Sequence, residues 1–277
     1  MSSFTEDKDS FQTFELYVYW FEQSWSSVEA IFKLFSSFCS TPKGALKLNE
    51  LNLLQQLWVP LKEFQQPYAV GTLRTSFLST NQRNFLFHFY SFLFSLAFKL
   101  FITLYPDVDM TESLYRLLTS SSSLISFLAS DHLCDEQLKL SVFNEYLVLL
   151  NIVLCNQQLE WTDFEPFNQQ LISLVSDYLV HIVNNFTLST MIKRDLKTIC
   201  QGSQVSLEEY LEYLRTTPFL TSTSPNGLYT RFVIHSVMYL MLNKYTIGTL
   251  LGEKLGFIWF FFIWLFCLNT TIYKQID

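Results

Sequence analysis

Apolar residues recur at helical spacing along most of the chain. In SSVEAIFKLFSSFC they predict one buried helix face, made of Val28, Ile31, Phe32, Phe35 and Phe38. Ser26 and Glu29 have the spacing of a capping box, in which each side chain accepts a hydrogen bond from the other residue's backbone N–H. A second such pair, Ser206 and Glu209, precedes the apolar positions of SLEEYLEYL. The pattern therefore predicts where two helices begin.

Two further apolar segments differ in how many faces they bury. LNLLQQLWVPL has a single apolar stripe, made of Leu51, Leu54, Trp58 and Leu61, and Pro60 closes this segment. QLKLSVFNEYLVLLNIVLC, by contrast, has two stripes, one through Leu140 and Phe143 and another through Val142 and Tyr146. Because a helix that is apolar on two faces must be covered on both, we expect this segment to lie at the centre of the fold.

Short polar breaks separate the apolar segments, at 40–44, 105–109, 128–136, 159–166 and 221–227. Together they predict an all-α protein with roughly eight or more helices joined by short loops. Breaks that fall roughly 30 residues apart favour an irregular α-solenoid, or a helical-repeat-like stack of antiparallel helices, and a compact bundle is the alternative. The stretch FELYVYWFE alternates and is rich in β-formers, so a strand is a second possibility there.

The same pattern predicts a division of the chain into segments. We expect a disordered acidic N-terminus at 1–9, a helical domain at 10–220, a polar linker at 221–227, helices at 228–254, and a hydrophobic C-terminal helix at 255–273.

The last of these segments is 19 residues long and uncharged. A helix of that length rises about 28 Å, close to a hydrocarbon thickness of about 30 Å, which predicts a transmembrane tail anchor. Arg231, Lys244 and Lys254 precede it and favour a cytosolic N-terminal part. Two alternatives stay open: a buried core helix, or a mis-predicted exon, since AT-rich codons encode most of its residues. The similarly apolar stretch 85–98 supports a core helix or a second span.

Composition narrows the class of protein. The chain has 28 Phe but only 7 Gly, which suits a large packed core and disfavours glycine-rich phosphate loops. A net charge of −7 leaves no basic footprint, so nucleic-acid binding is not expected. The five cysteines form no CxxC pair and the N-terminus is polar and acidic, which together favour reduced thiols in the cytosol or nucleus.

One motif resembles an enzyme signature. Asp107, Asp109 and Thr111 spell DxDxT, as in haloacid-dehalogenase-like phosphotransferases. The resemblance implies a nucleophilic first carboxylate and an acid/base second carboxylate, both near Mg²⁺. However, only 21 residues separate Asp109 from the next acidic candidate, Asp131, and their pattern is one helix rather than a βα unit. The alternative interpretation is a turn followed by a helix start, where Asp and Thr are favoured caps.

No other constellation predicts chemistry. The four histidines are far apart in sequence, and His181 and His235 lie in apolar runs that predict packed side chains. We therefore predict no metal, no cofactor and no small-molecule substrate. The expected function is a non-catalytic helical scaffold or adaptor that binds protein partners at the cytosolic face of a membrane, through 255–273. The alternative is a soluble nuclear or cytosolic subunit of a multiprotein complex, with the tail buried.

Overall fold

The computed structural model describes residues 23–57, 80–121, 135–155, 171–172, 174–175, 179, 206–216 and 225–246. Every regular element in these residues is an α-helix, and they contain no strand, which confirms the all-α prediction. The solenoid or repeat arrangement stays a prediction. The possible strand in FELYVYWFE and the tail at 255–273 lie outside the described residues.

Seven helices have defined bounds: α1 Trp25–Phe38, α2 Pro42–Glu50, α3 Thr80–Leu104, α4 Thr111–Ser120, α5 Glu136–Cys155, α6 Leu207–Thr216 and α7 Pro225–Thr246. A short helical segment also occupies 53–57. The chain divides into two compact units, one formed by Met1–Val153 with Leu159–Phe167 and the other by Leu154–Gln158 with Asn168–Asp277. Helix α7 begins at Pro225, inside the stretch that its polar composition had suggested as a linker.

In the first unit, α1 and α2 pack on α3 and are joined by a tight turn. Thr41 is the N-cap of α2, and its hydroxyl accepts a hydrogen bond from the Gly44 N–H at 3.2 Å. The same hydroxyl donates to the carbonyl of Phe38 at 3.2 Å. A Cβ at position 44 would lie 2.3 Å from that carbonyl oxygen, so the close approach of the two helices requires glycine.

Polar and aromatic contacts fix α1 on α3. The Thr103 hydroxyl donates to the Cys39 carbonyl at 2.7 Å, satisfying one of the carbonyls that the end of α1 leaves without a helical partner. The Lys99 ammonium also bonds the Ser36 hydroxyl near that end, where a cation complements the helix dipole. Along the helix, Phe32 stacks on Phe92, with ring centroids 5.5 Å apart. These contacts hold α1 in one rotational setting.

Helix α5 is buried on all sides, as its two apolar stripes predict. From position 140 to 154 only Ser141 and Glu145 are less than fully buried. Tyr146 meets the ring of Phe94 edge-on at 5.6 Å, and its hydroxyl donates to the Leu118 carbonyl at 3.3 Å. The prediction of a central helix is therefore confirmed.

Two of the described helices are long and apolar enough to cross a membrane, Leu86–Leu104 in α3 and Glu136–Cys155, which is α5. Their apolar windows are 56% and 72% buried inside the protein, respectively. Core helices of soluble proteins have the same length and composition. These helices are thus weak indicators of membrane association.

In the second unit, α6 begins with the predicted capping box. The Ser206 N–H donates to the Glu209 carboxylate at 2.9 Å, and the Glu209 N–H donates to the Ser206 hydroxyl at 3.2 Å. Helix α7 is buried over most of its first four turns, as its apolar sequence predicts. The four helical residues Leu171, Ile172, Val175 and Leu179 are also buried.

Two local predictions are wrong. Ser26 lies inside α1 and forms no capping box, because the helix already begins at Trp25, and Glu29 instead pairs with Lys33 at 2.6 Å. Leu51, predicted to begin a buried stripe, is 53% exposed. The reason is that α2 ends at Glu50 and the chain turns through Asn52, whose φ is +50°.

Candidate functional site

The main candidate surface is a row of large apolar side chains on α1. Ile31, Leu34 and Phe38 are 49%, 54% and 49% exposed, respectively. Spacings of three and four residues place them on one side of the helix, within about 60° of each other at about 100° per residue. We call these three residues the α1 stripe.

The apolar pattern predicts that Ile31 and Phe38 are buried, and this prediction is wrong, because both are about half exposed. Phe32 is the residue that α1 buries against α3, where it stacks on Phe92 and meets Phe89 edge-on at 5.3 Å. With Phe32 fixed at that contact, Ile31 is rotated away by about 100°. The contact with α3 therefore buries Phe32 and leaves Ile31 and Phe38 about half exposed.

Within α1, the residues on the side of the α1 stripe are uncharged. Helix α1 contains only two charged residues, Glu29 and Lys33, and these pair with each other at 2.6 Å. Helical geometry places both more than 90° from the centre of the stripe. The exposed residues of α1 within 90° of that centre are small and uncharged, namely Ser27 and Ala30. Such a surface allows the backbone of another helix to approach closely without burying a charge.

Two more large apolar residues, Leu46 and Leu51, are 43% and 53% exposed. Five half-exposed side chains of this size present on the order of 500 Å² at most. Apolar patches of roughly 300–600 Å² on a monomer are often functional. The first unit therefore carries enough exposed apolar surface for a small interface.

The DxDxT residues lie in the turn between α3 and α4. Asp107 and Asp109 are exposed, and the residues before them are the end of a helix instead of a strand. The Asp109 carboxylate accepts a hydrogen bond from the backbone N–H of Thr111 at 2.9 Å. Hydrogen bonds from the Thr111 side chain and backbone lower the pKa of Asp109. A turn followed by a helix start is confirmed, but neither Asp109 nor Thr111 is the cap: the N-cap of α4 is Met110, and the Asp109 bond closes the turn one residue before it.

The described histidines and cysteines do not gather into a site. No group of three or more His, Cys, Asp or Glu side chains within the described ranges has the geometry to hold a metal ion. His88 lies against Trp25, with ring centroids 5.8 Å apart, whereas His235 is buried in the second unit. Cys39 and Cys155 are free thiols, and burial raises the pKa of Cys39 to about 11. The other histidines and cysteines lie outside the described residues.

The sequence predicts that His235 is buried but does not predict its contact with Tyr210. The sequence predicted a packed histidine, and His235 is indeed buried. Its partner is the Tyr210 hydroxyl on α6, 3.1 Å from Nδ1. The two residues are 25 positions apart, and no local pattern links them. Burial, followed by the charge of Arg231 one turn earlier, lowers the pKa of His235 to about 3.

Comparison with known proteins gives no functional assignment. No protein-family model matches this chain, and neither a curated protein sequence nor a solved structure matches it.

Proposed function

We propose that this protein is a non-catalytic helical scaffold that binds an amphipathic helix of a partner protein on the α1 stripe. The observation that carries the proposal is the exposure of Ile31, Leu34 and Phe38 along one side of a helix that buries Phe32 against α3. Grooves and faces that recognise helices use anchors with this i, i+3, i+7 spacing.

The exposed area supports a partner helix over a second copy of the chain. A stable interface buries about 800 Å² on each partner, more than the roughly 500 Å² that the five exposed apolar residues of the described ranges provide. A single helix needs a narrower surface, and the row from Ile31 to Phe38 is two helical turns long. The uncharged residues on this side of α1 predict that the partner helix faces the stripe with apolar and small residues.

Helix α1 is well suited to such a role because it is held rigidly. Phe32, the Thr103 hydroxyl and Lys99 fix its rotation on α3 before any partner arrives. Side chains that are already ordered lose less conformational entropy on binding, which favours affinity. Phe38 would act as the main anchor, since aromatic side chains that fill a pocket of the partner contribute much of the binding energy.

We extend the proposal to membrane attachment through 255–273, which lies outside the described residues. Ending the chain at Lys254 should release the protein from membranes, measured by carbonate extraction and sedimentation of both forms. Helices α3 and α5 are also long and apolar enough to cross a membrane, yet more than half of each apolar window is buried inside the protein. Their burial favours the alternative, a soluble complex subunit whose apolar tail is buried as well. It predicts that the shortened chain aggregates instead of remaining soluble.

Photo-crosslinking tests the binding surface directly. Benzoylphenylalanine would replace Leu34 or Phe38 in the full-length chain, with Ser26 as the matched control on the same helix. Ser26 is exposed but lies about 80° from Leu34. We expect one partner protein to crosslink at positions 34 and 38 but not at position 26. The crosslinked segment of that partner should be helical, with apolar residues three and four positions apart. Leu34→Asp should abolish the crosslink at 38.

Two outcomes would contradict the proposal. Crosslinks to a second copy of the chain would make the α1 stripe a self-association surface, and crosslinks to lipid alone would make it a membrane-facing surface. Circular dichroism of Leu34→Asp separates loss of binding from loss of folding. Because Leu34 is exposed, the variant should keep the stability of the parent to within about 0.5 kcal/mol.

A further inference from the structure

A cavity of about 160 Å³ lies in the first unit, where the end of α2, the segment 53–57, α3 and α4 meet. Four leucines form its buried wall: Leu48, Leu53, Leu54 and Leu100. An apolar cavity of about 150 Å³ accommodates one benzene-sized group. Pockets for drug-sized ligands are larger, about 300–1,000 Å³. The cavity therefore fits a single aliphatic side chain better than a complete metabolite.

The solvent-accessible side of the cavity has a different chemistry. Asn49, Asn52 and Gln55 line this side, and each of these residue types carries a side-chain amide. Each amide both donates and accepts hydrogen bonds, which matches the alternating N–H and C=O groups of a peptide backbone. Asn52 has a φ of +50°, a left-handed conformation that asparagine tolerates better than most residues.

The charges at the cavity are already matched. Arg116 pairs with Glu112 at 2.8 Å, and both side chains are more than half exposed. A charged ligand would have to compete with this pair, whereas a neutral ligand would leave it intact. The lining thus combines an apolar wall, three amides and no uncompensated charge.

We infer that this cavity binds a leucine-like side chain of an extended peptide segment, while the amides bond the peptide backbone on either side. This inference rests on the proposed function, because it assigns a second contact to a protein partner. It differs from the α1 stripe in the conformation recognised, which is extended and not helical.

Neutral peptide analogues test the cavity without the partner. N-acetyl-leucine N-methylamide would be titrated into the full-length protein with labelled leucine methyl groups and followed by NMR. We expect saturable shifts at Leu53, Leu54 and Leu100. The alanine analogue lacks three carbons that the cavity would bury, so its binding should be at least about tenfold weaker. Binding of the acidic analogue, N-acetyl-aspartate N-methylamide, should also be at least about tenfold weaker.

Three variants with one control link the binding to the cavity. Ser113→Trp at the exposed edge should block the leucine analogue, and Gln55→Ala should weaken it several-fold. Asn52→Gly removes an amide but keeps the left-handed backbone conformation, and it should also weaken binding. The control is Gln56→Ala, because Gln56 does not line the cavity and its amide donates to the Leu51 carbonyl at 3.0 Å.

Equal binding of the leucine and alanine analogues, or no saturable shift, would overturn the inference. So would unchanged binding to Ser113→Trp, provided that its circular dichroism matches the parent. None of these results depends on the α1 stripe. Failure here with successful crosslinking at 34 and 38 would leave the proposed function intact, and the reverse would remove only the helix-binding surface.

Discussion

The hydroxyl oxygen of Tyr210 lies 3.1 Å from Nδ1 of His235, and both side chains are buried in the second unit. Burial, and then the nearby charge of Arg231, lowers the pKa of His235 to about 3. The imidazole is therefore neutral at physiological pH, which leaves one ring nitrogen able to accept a hydrogen bond from the tyrosine. The pair joins α6 to α7 with no buried net charge.

This pair should make the protein sensitive to acid. The pKa of His235 is lower in the folded chain than the value of about 6.5 in the unfolded chain, so below that pH only the unfolded state takes up the proton. The contribution of the neutral His235 to stability is fully present above about pH 6.5. Between about pH 6.5 and pH 3 its loss lowers the free energy of unfolding by at most about 1.4 kcal/mol for each pH unit of acidification. Urea unfolding at pH 7, 5.5 and 4.5 measures this slope.

Two variants isolate the histidine. His235→Gln keeps an acceptor for Tyr210 but does not titrate, so its free energy of unfolding should depend less on pH between 6.5 and 4. Tyr210→Phe keeps the titrating ring and should retain the slope, at a uniform cost of about 1–2 kcal/mol for the lost hydrogen bond. An unchanged slope in His235→Gln would assign the acid sensitivity to other groups.

Replacing Ser by Ala should destabilise the protein at one of the two Ser-x-x-Glu motifs and not at the other. Ser206→Ala removes a hydroxyl that accepts the Glu209 N–H at 3.2 Å, and should destabilise the protein by about 1 kcal/mol. Ser26 lies inside α1, where alanine has the higher helix propensity, so Ser26→Ala should be neutral or slightly stabilising. Chemical unfolding measures both. A similar loss in Ser26→Ala would mean that it caps α1 after all.

These motifs show what can be inferred from the sequence. The capping pattern predicts the start of α6 correctly, because both hydrogen bonds of the Ser206–Glu209 box form and the helix begins at Leu207. The same pattern fails at Ser26, since α1 already begins at Trp25, whose ring packs on Phe92 with centroids 5.8 Å apart. That contact joins residues far apart in sequence, so a local pattern does not contain it.

Burial, like the helix starts, can be predicted only where the local sequence determines it. Helix α5 is apolar on two faces, so any helical packing must cover both, and its central position is predictable. Helix α1 has a wide apolar face, and its sequence does not determine which part a neighbour will cover. Contact with α3 selects Phe32 and leaves Ile31 and Phe38 exposed. The sequence therefore predicts that these residues lie on an apolar face of α1, but not that they are exposed.

The α1–α2 turn gives a prediction with a diagnostic sign. Glycine to alanine in a helix normally stabilises by up to about 1 kcal/mol. At Gly44 the added Cβ would lie 2.3 Å from the Phe38 carbonyl oxygen, so Gly44→Ala should instead destabilise by about 1–3 kcal/mol. Lys43→Ala at the exposed neighbouring position is the control, expected within about 0.5 kcal/mol of the parent. Thermal and urea unfolding report both, and stabilisation by Gly44→Ala would contradict the close approach.

The DxDxT residues allow a test of a structural turn against a catalytic carboxylate pair. Asp109 accepts the Thr111 N–H at 2.9 Å in the turn before α4, so Asp109→Ala should cost about 1 kcal/mol of stability for the lost hydrogen bond. Asp109→Asn keeps an acceptor oxygen and should be nearly neutral at pH 7. Asp107→Ala, at an exposed position of the same turn, is the control, and its stability should stay within about 0.5 kcal/mol of the parent.

The pH dependence of the Asp109 turn provides a second measurement. Hydrogen bonds from Thr111 lower the pKa of Asp109 in the folded chain, so this contact stabilises the protein above the unfolded pKa and is lost as pH falls through the folded one. Asp109→Asn should remove that acid-dependent part alone. A phosphotransferase would behave differently, because loss of either carboxylate would abolish hydrolysis of a phosphomonoester in the presence of Mg²⁺ and leave stability unchanged. Such activity in the parent, lost in both Asp107→Asn and Asp109→Asn, would overturn the scaffold proposal.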